Sequence, residues 1–133
     1  MLKTLLAGAV SMLALDIFWI GFLGSKIYQT ELKNVARYVN GKLDVVWYAA
    51  VIVYLAILFG LYYFVFPRVS GMNEAWRVFV TGGLFGMTMY LVYDFTNLAV
   101  IKNWTLKVSI IDGIWGFVLC GTVTTVMWWV SKM

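Results

Sequence analysis

Three aspartates, Asp16, Asp94 and Asp112, lie inside hydrophobic runs long enough to cross a bilayer. At the centre of a spanning helix an ionised carboxylate costs roughly 3 kcal/mol on insertion scales unless partners or water receive it. Each aspartate has a polar or aromatic residue within one helical turn. Asp16 precedes Trp19, and Asp112 precedes Trp115, at the same D-x-x-W spacing. Asp94 sits in the run Tyr93-Asp94-Phe95-Thr96-Asn97, with Tyr90 one turn earlier. Carboxylates so placed can hold and pass protons, receive a cationic group, or hold Mg²⁺ against a lipid phosphate with Tyr93, Thr96 and Asn97 orienting it, since hard cations take oxygen ligands. The candidate ligand-binding residues are therefore Asp16, Trp19, Tyr90, Tyr93, Asp94, Thr96, Asn97, Asp112 and Trp115.

Other chemistries drop out by composition. The chain has no histidine and a single cysteine, Cys120, so an internal disulfide, thiolate or imidazole metal sites and Ser-His catalysis are excluded. No lysine falls within an apolar run, which removes a buried amine for Schiff-base chemistry, and no nucleotide or phosphate loop is present. Cys120 reads as a small apolar core residue. The net charge of +4 comes from ten Lys and Arg residues scattered between apolar segments, with no basic stripe, so nucleic acid is not an expected partner. They read instead as topology signals and phosphate-level anchors.

The elements that must position the aspartates are helices. Of 133 residues, 63% are hydrophobic and 12% charged, and the mean hydropathy is +0.89, outside the soluble globular range. Four apolar segments, roughly 4–24, 45–66, 78–101 and 108–130, each approach the ~20 residues a spanning helix needs. The predicted fold class is thus all-α, a polytopic membrane protein of four transmembrane helices forming one domain over residues 1–133. The second span is expected to stop at Pro67-Arg68, and Ser70-Gly71 and Lys102-Asn103 supply turns. Asp16 interrupts the first apolar run and no small-x-small cleavage site follows, so that span reads as retained rather than as a signal peptide. Between the first two spans, Tyr28, Leu32, Val35 and Val39 recur at helical spacing while Lys26, Gln29, Lys33 and Arg37 take another face. This predicts an amphipathic interfacial helix over 25–40, ended by Asn40-Gly41; a solvated charged loop is the alternative. Lys3, Arg68, Arg77 and Lys132 fall on one side of the membrane and Lys26, Lys33, Arg37, Lys42, Lys102 and Lys107 on the other, which favours both termini outside.

At a rise of ~1.5 Å per residue, the three aspartates lie within ~7–14 Å of the same membrane face, the one carrying the amphipathic segment. Gly83, Gly86, Tyr90, Asp94 and Asn97 form one stripe of the third span, small at one end and polar at the other, as a face against protein would be. The glycines read as packing contacts. Trp19 and Trp115 are either interfacial anchors or pocket walls. The repeated D-x-x-W hints at a pseudo-symmetric pair of helices. Leu15-Asp16-Ile17-Phe18-Trp19, Tyr93-Asp94-Phe95-Thr96-Asn97-Leu98-Ala99 and Asp112-Gly113-Ile114-Trp115-Gly116 together resemble a small bacterial family of predicted four-helix membrane proteins, the DUF2177 type, over nearly the full length. The resemblance implies a multi-pass protein of the bacterial inner membrane and brings no substrate.

Three functions suit this pattern. The first is binding, or proton-coupled transport, of a small amphipathic or cationic ligand or lipid at the aspartate cluster. Transport through only four helices would need a homo-oligomer. The second is a membrane-embedded lipid-modifying enzyme using the carboxylates as acid and base or as Mg²⁺ ligands. The third is an accessory subunit whose aspartates only hydrogen-bond across helices.

Overall fold

The computed structural model describes all residues from Met1 to Met133. Four helices are long and apolar enough to cross a membrane: α1 (Leu2–Leu23), α3 (Trp47–Val69), α4 (Ala75–Val100) and α5 (Leu106–Lys132). A short helix, α2 (Ser25–Glu31), follows α1. The all-α, four-span class expected from the sequence is the architecture found.

α5 is the central element. Half of its most apolar stretch is buried against protein, against 17–28% for the other three spans. Its closest partner is α4, and the reason lies in small residues. Gly82, Gly83 and Gly86 of α4 face the backbone carbonyls of Cys120, Phe117 and Gly116, so a Cβ at any of the three would collide with main chain that cannot step aside. In lipid, where apolar side chains gain little by leaving one hydrocarbon for another, such close backbone approach is what holds helices together. On the other flank Gly8 of α1 lies against Met127 of α5 and Leu58 of α3. Met12, Ile57, Leu61, Leu119, Val123 and Met127 fill the core between these helices. Only 28 of 133 residues are buried; the outer faces of α1 and α3, with Ile17, Val51, Ile52, Leu55 and Phe59 exposed, are apolar surfaces suited to lipid.

Two spanning helices loosen to π geometry. In α3 the wide turn Leu61–Val65 comes just before Pro67. The proline has no N–H for the Tyr63 carbonyl and its ring crowds it, so the backbone widens and the helix continues to Val69 instead of stopping at Pro67. In α1 the wide turn is Trp19–Leu23, closed by the Gly24 N–H donating to the Trp19 carbonyl at 2.6 Å.

The segment after α1 corrects a sequence expectation. Helix is confined to Ser25–Glu31, and the chain then turns into a two-residue hairpin, β1 (Tyr38–Val39) against β2 (Lys42–Leu43), with Tyr38 opposite Leu43. Asn40-Gly41 does not cap a helix. Both residues have positive φ, 50° and 76°, as the two central positions of a type I′ hairpin turn require, and Asn-Gly is the pair best suited to it. At the opposite end of the bundle the 70–74 loop is fastened by Trp128 Nε1 and Lys132 Nζ, each donating to the Met72 carbonyl at 3.1 Å.

The glycine contact yields a stability prediction. Gly86→Ala should destabilise the protein by about 1–3 kcal/mol, the usual cost of overpacking. Gly71→Ala, where a Cβ meets nothing within 4 Å, should stay within about 0.5 kcal/mol of wild type. Denaturation titrated in mixed micelles measures both.

Candidate functional site

The polar residues gather at the end of the bundle that carries α2 and the hairpin. Asp16 on α1, Asp94 on α4 and Asp112 on α5 each lie about 10 Å along their helices from that end, at ~1.5 Å per residue. Their partners come from several elements.

Asp16 is 7% exposed, and its Oδ1 accepts a hydrogen bond from Trp115 Nε1 at 2.9 Å. The Tyr54 side chain of α3 also reaches this carboxyl. The Trp115 indole stacks on that of Trp19, ring centres 4.5 Å apart and planes 8° from parallel. Trp19 Nε1 in turn donates to the Tyr28 hydroxyl at 2.9 Å, and that hydroxyl donates to Asp112 Oδ1. The two D-x-x-W motifs are therefore cross-linked. The tryptophan of the α5 motif serves the aspartate of the α1 motif directly, and the tryptophan of the α1 motif serves the aspartate of the α5 motif through Tyr28.

Local sequence explains why Tyr28 can do this. Gly24 is buried, and a Cβ there would meet both the Tyr28 ring and the Trp19 indole, so the chain can fold back sharply behind the wide turn only with glycine at this position. Burial first, and the hydrogen bond to Asp112 second, hold the Tyr28 phenol above its ordinary value, and it remains a neutral donor across physiological pH. A second tie, Lys107 Nζ to Glu31 Oε1 at 2.9 Å, fixes the other end of α2 to the start of α5.

Beneath α2 and the hairpin lies a half-open cavity of about 520 Å³, within the range of small-molecule sites. Asp16, Trp19, Tyr90 and Trp115 line its bundle side, and Tyr28, Gln29, Leu32, Tyr38, Lys42 and Leu43 line its cover. Asp16 and Lys42 are the charged residues in that lining.

The nine residues singled out in the sequence divide accordingly. Asp16, Trp19, Tyr90 and Trp115 share the cavity wall, and Asp112 stands behind Tyr28. Asp94 is fully buried beside Asp112. The other three lie elsewhere. Tyr93 is 59% exposed, with its ring edge-on to Trp104. The Thr96 hydroxyl donates to the Val92 carbonyl of its own helix at 2.6 Å on the outer face of α4. Asn97 is half-buried and outside the cavity lining. Helix rotation accounts for Tyr93 and Thr96: α4 turns its Gly82, Gly86 and Asp94 side to α5, and these two are displaced from that stripe by about a third to half a turn. No group of three or more His, Cys, Asp or Glu side chains is placed to hold a metal ion. Tyr54 and the cavity role of Tyr28 had no motif to announce them. The signal for Tyr28 was its place on the apolar face of α2, and for Tyr54 there was only a lone hydroxyl in an otherwise apolar span.

Two outcomes follow. Trp115→Phe, which strips Asp16 of its indole donor, should cost about 1–3 kcal/mol, whereas Trp129→Phe on the exposed face should cost under about 0.5 kcal/mol; thermal unfolding in detergent compares them. The hydrogen bond from Lys107 holds the Glu31 carboxyl below its ordinary value of 4.5. A depressed folded-state value means that the tie is present above pH 4.5 and is lost as pH falls through the lower folded value. Amide exchange of α2 should therefore speed up relative to α5 on acidification below pH 4.5, and Glu31→Gln should show that faster exchange already at neutral pH.

No curated protein and no solved structure matches the chain. A family model described as "Predicted membrane protein (DUF2177)" matches residues 1–129, which takes in α1 to α4, nearly all of α5 and every residue of the site. The chain belongs to this DUF2177 family of membrane proteins.

Proposed function

We propose that this protein binds an amphipathic ligand whose ammonium head occupies the cavity beneath α2, with its apolar part against the bundle or in the adjoining leaflet. One observation carries the reading: a cavity of about 520 Å³ whose bundle-side wall joins a carboxylate, Asp16, to the aromatic rings of Trp19, Trp115 and Tyr90, closed over by Tyr28 and Tyr38. Aromatic faces and a carboxylate are the groups that receive an organic cation, by quadrupole attraction of about 0.5–2 kcal/mol per ring and by direct charge. A neutral head would leave the Asp16 charge unused. An anionic one would be repelled by Asp16 and would find a counter-charge only in Lys42, on the exposed cover.

The fold supports entry from the side. α2 and the hairpin cover the site from above by the two ties of Tyr28 and Glu31, while the cavity is only half enclosed. In the bacterial inner membrane the ligands of this class are amine-bearing lipids and cationic amphiphiles. A single chain offers one site near one membrane face, and carriage across the bilayer would be the work of a homo-oligomer.

Decyltrimethylammonium, decyl sulfate and decyl maltoside give the test, with quenching of tryptophan fluorescence as the readout in nanodiscs. The cationic probe should bind at least about tenfold more tightly than the other two, a difference of about 1.4 kcal/mol. Asp16→Asn should abolish that preference while leaving the fold intact by circular dichroism. Equal affinity for all three probes in wild type would sink the reading.

A further inference from the structure

Asp94 stands apart from the cavity and presents a different problem. It is fully buried, and neither carboxyl oxygen receives a hydrogen bond. The backbone around it is satisfied by the helix, and the nearby indole of Trp104 points its N–H at Ser109 Oγ instead, at 3.1 Å. The groups facing Asp94 are the carboxyl of Asp112 on α5, within hydrogen-bonding reach, the indole of Trp104 and the neutral phenol of Tyr28 on α2. Lys107, a turn and a half before Asp112, is engaged by Glu31. A fully buried carboxylate that accepts no hydrogen bond and has no free cation beside it is a costly species, and two adjacent ones are not both ionised. A proton between the two carboxyls removes the conflict. It gives one acid an O–H to donate to the other, and it leaves Asp112 Oδ1 free to accept from Tyr28 as observed.

We infer that Asp94 and Asp112 form a proton-binding site in which one exchangeable proton is shared between the two carboxyls, and that the Tyr28 hydroxyl is its route to the cavity. Tyr28 both lines the cavity and bonds Asp112. A proton can therefore pass between the carboxyl pair and cavity water by way of this hydroxyl, which donates toward Asp112 and accepts from Trp19. The site is independent of what fills the cavity. It stands or falls separately from the ammonium reading, because Asp16 is not part of it.

Infrared spectroscopy of the protein in nanodiscs at pH 7 reads the proton directly through the C=O stretch of a protonated carboxyl. Wild type should show this band, downshifted on transfer to D₂O. Asp94→Asn and Asp112→Asn should each lose it, and Asp16→Asn should retain it. Labelling aspartate with ¹³C at the carboxyl, which alters no structure, should shift the wild-type band and assign it to aspartate even where a variant folds poorly. Tyr28→Phe should keep the band but slow its deuteration at least severalfold. Absence of the band in wild type, failure of the label to move it, or its survival in both Asp94→Asn and Asp112→Asn overturns the shared proton. Unchanged deuteration in Tyr28→Phe overturns the route.

Discussion

The close approach of α4 to α5 is the constraint on which the rest of the structure depends. Three glycines on α4 allow its backbone to lie against the carbonyls of Gly116, Phe117 and Cys120, and in a lipid environment, where burying leucine against leucine gains little, that contact sets the rotation of both helices. Once it is made, Asp94 must face α5, and Asp112 is held on the helix it faces. The same rotation turns Trp115 toward α1. Glycine spacing therefore fixes which polar groups meet, before any hydrogen bond forms between them.

The carboxylates then organise what lies above. Asp16 takes its donor from Trp115, which is also stacked on Trp19, so a single pair of indoles joins α1 to α5 by both ring contact and hydrogen bonding. Asp112 takes its donor from Tyr28 and so draws α2 back over the bundle. The cavity is a consequence of this fold-back. The wide turn Trp19–Leu23 and Gly24 let the chain reverse, and the space left beneath the cover is lined by the residues that made the reversal possible. The cross-linked D-x-x-W motifs give α1 and α5, which run in opposite directions, equivalent parts at one depth. The equivalence is incomplete, since one link is direct and the other passes through a tyrosine.

Much of the frame was legible from residue order alone. Four apolar runs and their breaks locate the spans because hydrocarbon thickness imposes a minimum length and tolerates few charges. The common depth of the three aspartates followed from counting helical rise, and the Gly83 to Asp94 stripe from helical periodicity. Two features carry conflicting local signals. Asn40-Gly41 is a hairpin signal, yet the apolar spacing from Tyr28 to Val39 suggests continued helix; four positions cannot separate the two periods, and only the positive φ angles decide. Pro67 is a helix breaker by propensity, yet tertiary packing carries α3 past it by widening one turn.

What the sequence by itself determined is therefore the set of helices, the membrane as their solvent, and the depth of each ionisable group, because these follow from local spacing and from transfer free energy. Only the tertiary structure decided the partners. Trp115 serves Asp16 across 99 positions and Tyr28 serves Asp112 across 84, whereas Tyr93 and Thr96, adjacent in sequence to Asp94 or nearly so, point elsewhere. Neighbours along a helix diverge by about 100° per residue, so proximity in the chain says little about proximity in space. Which face turns inward was set by where two backbones could touch.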